Sequence, residues 1–149
     1  MRRINILDVD EKLIEEIWSK VESASGFYSI GDGFSKEHLR KVFFESDIVV
    51  EVESGYARVE LFDDFAEIHV LVFGPSFFAE AKENLQELYE SQKSIFKNRE
   101  IRCIIPSKMR GFKRLAKYAG MAFQGQCSRL LSGVAIPCDV FIWRPENVV

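Results

Sequence analysis

Two almost wholly apolar runs, AEIHVLVF at Ala66–Phe73 and IRCIIP at Ile101–Pro106, flank a segment with helical spacing. Runs of this kind read as strands covered on both sides. Two strands joined through a helix return parallel to one another, by a right-handed crossover. The chain is therefore expected to hold two parallel strands in the middle of a sheet. Between them Pro75 suits the first turn of a helix. Phe78, Ala81, Leu85, Leu88, Ile95 and Phe96 then line one side of a long helix expected to end near Lys97.

The remaining segments add antiparallel elements around that core. RINIL is a short first strand, and Asp8 with Glu11 offers a capping box for a helix whose apolar stripe is Leu13, Ile14, Ile17, Trp18 and Val21. After the glycine-rich GFYSIGDG, Ser35 is expected to cap a second helix, with Phe34 and Leu39 as its hydrophobic staple and Leu39, Val42 and Phe43 on its apolar face. DIVVEVE and YARVELF flank Ser54-Gly55, read as a two-residue hairpin turn. That turn pairs Val52 with Ala57, Val50 with Val59, Ile48 with Leu61 and, on the other face, Glu51 with Arg58. Ser107 is expected to cap a helix with Met109, Phe112, Leu115, Ala116 and Ala119 inward, closed by Gly120. A last hairpin around Ser132-Gly133 sets Cys127 opposite Cys138, with both thiols expected reduced but able to oxidise in air if their geometry allows.

The order is β-α-α-β-β-β-α-β-α-β-β. It predicts an α+β fold with a mixed, mainly antiparallel sheet and helices on both faces. A length of 149 residues fits one domain. The net charge of −3 does not advertise nucleic-acid binding by the molecule as a whole. No apolar run approaches the roughly 18 residues of a membrane span, and the start turns acidic too soon for a signal peptide. The three cysteines lack the spacing of a zinc site, and a sparse, odd count suits a reducing cytosol.

This order, together with REIRCIIPSKMRGFKRLAKYAGM and its closing Gly120-Met121 step, resembles the GNAT acetyltransferase superfamily over nearly the whole chain. In general texture the chain is also similar to divergent phage-encoded GNAT-like proteins, some of them virion or assembly components. The resemblance implies a fourth and a fifth strand that splay apart around acetyl-CoA, with an amine as the acceptor substrate. It assigns the pantetheine arm to fourth-strand backbone near Val70 and Val72. It assigns the pyrophosphate to amides of Ser76, Phe77 and Phe78, where a helix start favours anions.

The superfamily's turn, roughly R-G-x-G-x-G/A, aligns here with Phe78, Ala79, Glu80, Ala81, Lys82 and Glu83. The arginine and the glycines are missing. The acids can instead be read as satisfying the helix dipole themselves. An asparagine and a tyrosine common in the later helix are replaced by Met109 and Ala116, so the general-acid role does not pass to Tyr118.

Amine acetylation needs a base for the ammonium proton and an acid for the thiolate. The resemblance points to fourth-strand residues as bases, here His69 and Glu67. His69 reads either as that base or as a core histidine with a structural partner, and Glu67 as a base or a strand-end surface charge. Cys103 reads as a small buried hydrophobe. Lys108, Arg110, Lys113, Arg114 and Lys117 form a basic helix face, either solvated or binding an anion. In the second case Lys108 and Arg110 replace the missing arginine toward CoA phosphates. Two activities stay open, an acetyl-CoA-dependent N-acetyltransferase and an inactive protein that binds another protein. Nucleic-acid binding rests on the basic helix alone.

Overall fold

In a computed structural model of the chain, the described residues are 1–23, 35–97, 99–131 and 133–145. GFYSIGDG, the staple residue Phe34 and Ser132 lie outside them. The strands are β1 (Arg2–Ile4), β2 (Ile48–Val52), β3 (Gly55–Leu61), β4 (Phe65–Val72), β5 (Glu100–Pro106), β6 (Ala122–Leu131) and β7 (Val134–Trp143). The helices are α1 (Glu11–Ser23), α2 (Lys36–Phe44), α3 (Ser76–Ser91), α4 (Lys93–Phe96) and α5 (Arg110–Tyr118). The strands form one mixed seven-stranded sheet in the order β1-β2-β3-β4-β5-β7-β6. The expected parallel crossover is present: β4 and β5 run parallel, with Phe65, Ala66 and Glu67 beside Glu100, Ile101 and Arg102. Two compact units are distinguished, Met1–Glu60 with His69–Phe77, and Leu61–Ile68 with Phe78–Val149.

In the first unit the apolar stripes of α1 (Leu13, Ile14, Ile17) and α2 (Leu39, Phe43) bury against Ile4, Val49, Tyr56 and Leu71 on one face of the sheet. Ser35 caps α2 as expected, accepting from the His38 amide at 3.1 Å. The α1 cap is Asp10, whose Oδ1 accepts from the Leu13 amide at 3.0 Å; Asp8 belongs instead to a single 3-10 turn, Ile6–Asp8, capped by Asn5. That turn also ends the first strand earlier than RINIL suggests.

The β2–β3 hairpin differs from its expected register. Val52 faces Gly55, Glu51 faces Tyr56, Val50 faces Ala57 and Ile48 faces Val59, so the loop is Glu53-Ser54, with Ser54 at φ 64°. The slip is two residues, which leaves every side chain on its expected face. Its physical cause is Gly55. A Cβ there would lie 2.3 Å from the Leu71 carbonyl oxygen and 2.6 Å from the Phe77 ring. Gly55 is needed inside the ladder, where strand and helix press against it, and so is not spent in the turn. Phe77, at the start of α3, thereby covers the face opposite α1 and α2.

In the second unit β5 pairs with β7, and β7 with β6, both antiparallel, with a bulge between Phe123 and Gly125. Cys127 stands opposite Cys138, and Leu131 opposite Val134, as the hairpin reading requires. The long helix is broken: Gln92 leaves helical angles (φ −124°, ψ 31°), and α4 restarts so that Phe96 stacks back on Tyr89, with ring centroids 6.3 Å apart. Tyr89 also meets the buried Trp143 ring at 5.0 Å. α5 ends in a Schellman arrangement: Gly120, at φ 89°, donates to the Lys117 carbonyl and Met121 to that of Ala116, both at 3.0 Å.

Because the atoms that crowd Gly55 include backbone, Gly55→Ala is expected to destabilise the fold by about 1–3 kcal/mol or more. Urea unfolding measures this. An unchanged midpoint would contradict the packing described.

Candidate active site

The end of β4 and the start of α3 are clipped to the β2–β3 hairpin by short contacts inside the first unit. The Phe73 amide donates to the Ser54 carbonyl at 2.7 Å, and the Ser54 and Ser76 hydroxyls lie 2.7 Å apart. Phe77 is buried against Gly55. These contacts start the helix at Ser76. Its first turn therefore holds Ser76, Phe77, Phe78 and Ala79 and no acid. Glu80 and Glu83 come later, so they do not satisfy the dipole at the first amides, contrary to that reading of the sequence. The Phe77 amide donates to the Gly74 carbonyl at 3.3 Å, and the positive end of the helix dipole at this start favours an anion. On β4, Val72 is buried and Val70 half-buried.

His69 is half-buried on β4 in the first unit. Its Nε2 lies 4.0 Å from Glu60 Oε1, which also accepts from Arg58 Nη1 at 2.7 Å.

Glu67 is not a surface charge. It is 2% exposed, and Arg129 of β6 reaches both its oxygens, Nη1 to Oε1 at 2.6 Å and Nη2 to Oε2 at 2.7 Å. A buried carboxylate persists as an anion only with such a partner. The Glu67 hydrogen bond, first in size, raises the Arg129 pKa. Cys103 lies close enough to feel this pair. Its thiol is pushed up to about 12, by burial first and then by the Glu67 charge, which disfavours an acyl-accepting thiolate.

The basic helix is less one-sided than its sequence. Lys108 precedes α5, and Lys108 and Arg110 are exposed. Lys113 is paired, its Nζ 3.4 Å from Asp139 Oδ2. Ser107 does not cap α5: its hydroxyl donates to Asp139 Oδ1 at 2.6 Å, where Gln126 Nε2 also donates at 3.2 Å. Ser107 first, then Gln126 and Lys113, against the opposing cost of burial, hold the Asp139 carboxyl below the usual range.

A third polar group was not legible from spacing. Lys20 of α1 donates to the Tyr56 hydroxyl at 2.9 Å, and Tyr56 donates to Glu51 Oε2 at 2.9 Å. Beside it is a hollow of about 420 Å³ lined by Ser19, Lys20, Ser23, Ser54, Tyr56 and Phe73, among others. Its sequence signal was the Glu51–Tyr56 pairing, hidden by placing the turn at Ser54-Gly55. Among the described residues no group of three or more His, Cys, Asp or Glu is placed to hold a metal ion, and no helix is long and apolar enough to cross a membrane.

This architecture is that of known acetyltransferases. The chain is similar to a candidate ribosomal-protein-serine acetyltransferase of Vibrio cholerae (14% identity, 97% of this chain and 95% of that one, TM-score 0.69). It is similar to a Salmonella typhimurium acetyltransferase that modifies the N-terminal serine of ribosomal protein L7/L12 (12% identity, 95% and 98%, TM-score 0.66). It also resembles a GNAT-family acetyltransferase of Bacillus anthracis (16% identity, 97% and 93%, TM-score 0.58). No protein-family model and no curated protein matches the sequence. The chain has the GNAT fold.

Three variants test the polar groups. Arg129→Met strands a buried carboxylate and is expected to cost about 3 kcal/mol, whereas Glu67→Leu with Arg129→Met restores most of that. Equal losses in the single and double variants, by urea unfolding, would contradict the pairing. Asp139, with its folded pKa lowered, adds stability that is present above the unfolded value of about pH 4 and disappears as pH falls through the folded value. Ser107→Ala is therefore expected to lose stability at neutral pH and to flatten the acid limb of a stability–pH curve. A parallel limb would contradict the assignment.

Proposed function

We propose that the chain is an acetyl-CoA-dependent N-acetyltransferase acting on an amine. The reading rests on one observation above the others: α3 opens immediately after the parallel strand β4 with an acid-free first turn. Acetyl-CoA, when bound, supplies the acetyl group as a thioester. The residues at the turn fit its charge, because Ser76, Phe77 and Phe78 stand at the positive end of the α3 dipole, which favours a pyrophosphate. Val70 and Val72 offer β4 backbone to the pantetheine arm.

His69 is assigned to take the ammonium proton, with the Glu60 carboxylate 4.0 Å from its Nε2. Glu67, with Arg129 on both oxygens, is assigned to holding that arginine in place, not to proton transfer. A second reading, a GNAT-fold binding or assembly protein without catalysis, is favoured by the lost arginine and glycines at Phe78, Ala79, Glu80, Ala81, Lys82 and Glu83.

Melting in the presence of acetyl-CoA separates the two. At 100 times its dissociation constant the ligand stabilises by about 2.7 kcal/mol. The proposal expects an upward shift, and no shift at millimolar acetyl-CoA would overturn it. His69→Gln is expected to lower turnover by about 10²–10⁴-fold with acetyl-CoA affinity intact. Unchanged turnover would remove His69 from the role.

A further inference from the structure

The β6–β7 hairpin sets Cys127 directly opposite Cys138, and both thiols are free. Cys138 is buried at 1% exposure, and Cys127 is half-buried. The kind of pair they form can be read from the neighbouring rung. The Ser107 amide donates to the Pro137 carbonyl at 3.0 Å, and Pro137 has no N–H of its own. The Pro137 carbonyl therefore points away from β6, and Ser128–Pro137 is a non-hydrogen-bonded rung. Rungs alternate along an antiparallel ladder, so Cys127–Cys138 is a hydrogen-bonded rung, with Cα atoms about 5.5 Å apart. That lies inside the roughly 4.4–6.8 Å that a disulfide spans. Side chains in such a rung stand farther apart than in its neighbours, so a bridge there closes under strain and is easily reduced.

We propose that Cys127 and Cys138 are a reversible redox pair, closing to an intrachain disulfide when the surrounding thiol pool turns oxidising. The oxidant is a small-molecule disulfide. Cys127, which solvent reaches, attacks one of its sulfurs as the thiolate and expels one small thiolate, leaving a mixed disulfide. Cys138 then gives up its proton to solvent and attacks the Cys127 sulfur, expelling the second small thiolate. Two protein thiols lose two electrons and two protons, and the small disulfide becomes two thiols. The order follows from the environment. Burial first, and then the Cys127 charge, push the Cys138 thiol up, so it is a poor first nucleophile. Capping Cys127 removes the second of these effects.

Cys103 supplies an internal control, since it stands opposite Phe141 on β7 and not opposite a second thiol. The inference does not rest on the acetyltransferase reading. The test exposes the full chain to oxidised glutathione, unfolds it in urea, alkylates the remaining thiols and maps tryptic peptides by mass spectrometry; cleavage after Arg129 separates the two cysteines. The expected result is alkylation at Cys103 alone, a linked Cys127–Cys138 peptide pair, and full reopening in millimolar reduced glutathione. Cys103→Ser should behave the same way, and Cys138→Ser should stop at a glutathione adduct on Cys127. Three alkylated thiols after oxidation, a persistent glutathione adduct on wild-type Cys127, or a link that survives excess reduced glutathione would each overturn it.

Discussion

The missing side chain at Gly55 is the constraint on which the rest of the first unit depends. It lets the Leu71 carbonyl and the Phe77 ring approach to distances that no Cβ tolerates. The hairpin loop is displaced by two residues to keep Gly55 inside the ladder, and Tyr56 is thereby brought opposite Glu51. With the Ser54–Ser76 hydroxyl contact and the Phe73 amide bond, the same packing fixes where β4 stops and α3 starts. The electrostatics of the helix start follow from that position. Had the helix begun three or four residues later, Glu80 or Glu83 would have occupied its first turn and answered its dipole. Beginning at Ser76, it presents amides with no acid beside them.

A second theme is the treatment of buried charge in the second unit. Glu67 on β4 and Asp139 on β7 are both nearly covered, and each is answered by a partner remote in sequence: Arg129 for one, Ser107, Gln126 and Lys113 for the other. Removing one partner from such a pair costs more than removing both, so each cluster specifies a strand alignment as well as adding stability. The β6–β7 register in turn places the two cysteines opposite one another. A hairpin fixed by polar pairs thus also fixes a possible redox chemistry.

The features legible in the sequence are those set by periodicity and local chemistry. The βαβ crossover followed from two apolar runs with a helical segment between them. The Ser35 cap, the Gly120 closure and the Cys127–Cys138 rung followed from short-range rules about caps and two-residue turns. Three of the misreadings share one cause: a residue with a good local role was claimed by a distant partner. Gly55 suits a turn but is held in the ladder by Leu71 and Phe77. Ser107 suits a cap but bonds Asp139, 32 residues away. Glu67 suits a strand-end charge until Arg129, 62 residues on, is seen beside it. The approach of Glu60 to His69 required the fold.

The central claim is that the opening amides of α3 form an anion site for acetyl-CoA. Its most direct test is a titration of isotope-labelled protein with acetyl-CoA, followed by amide resonances. The account expects the Ser76, Phe77 and Phe78 amides to move first and farthest, in a saturable way. Saturable changes elsewhere with these three amides unmoved would contradict it.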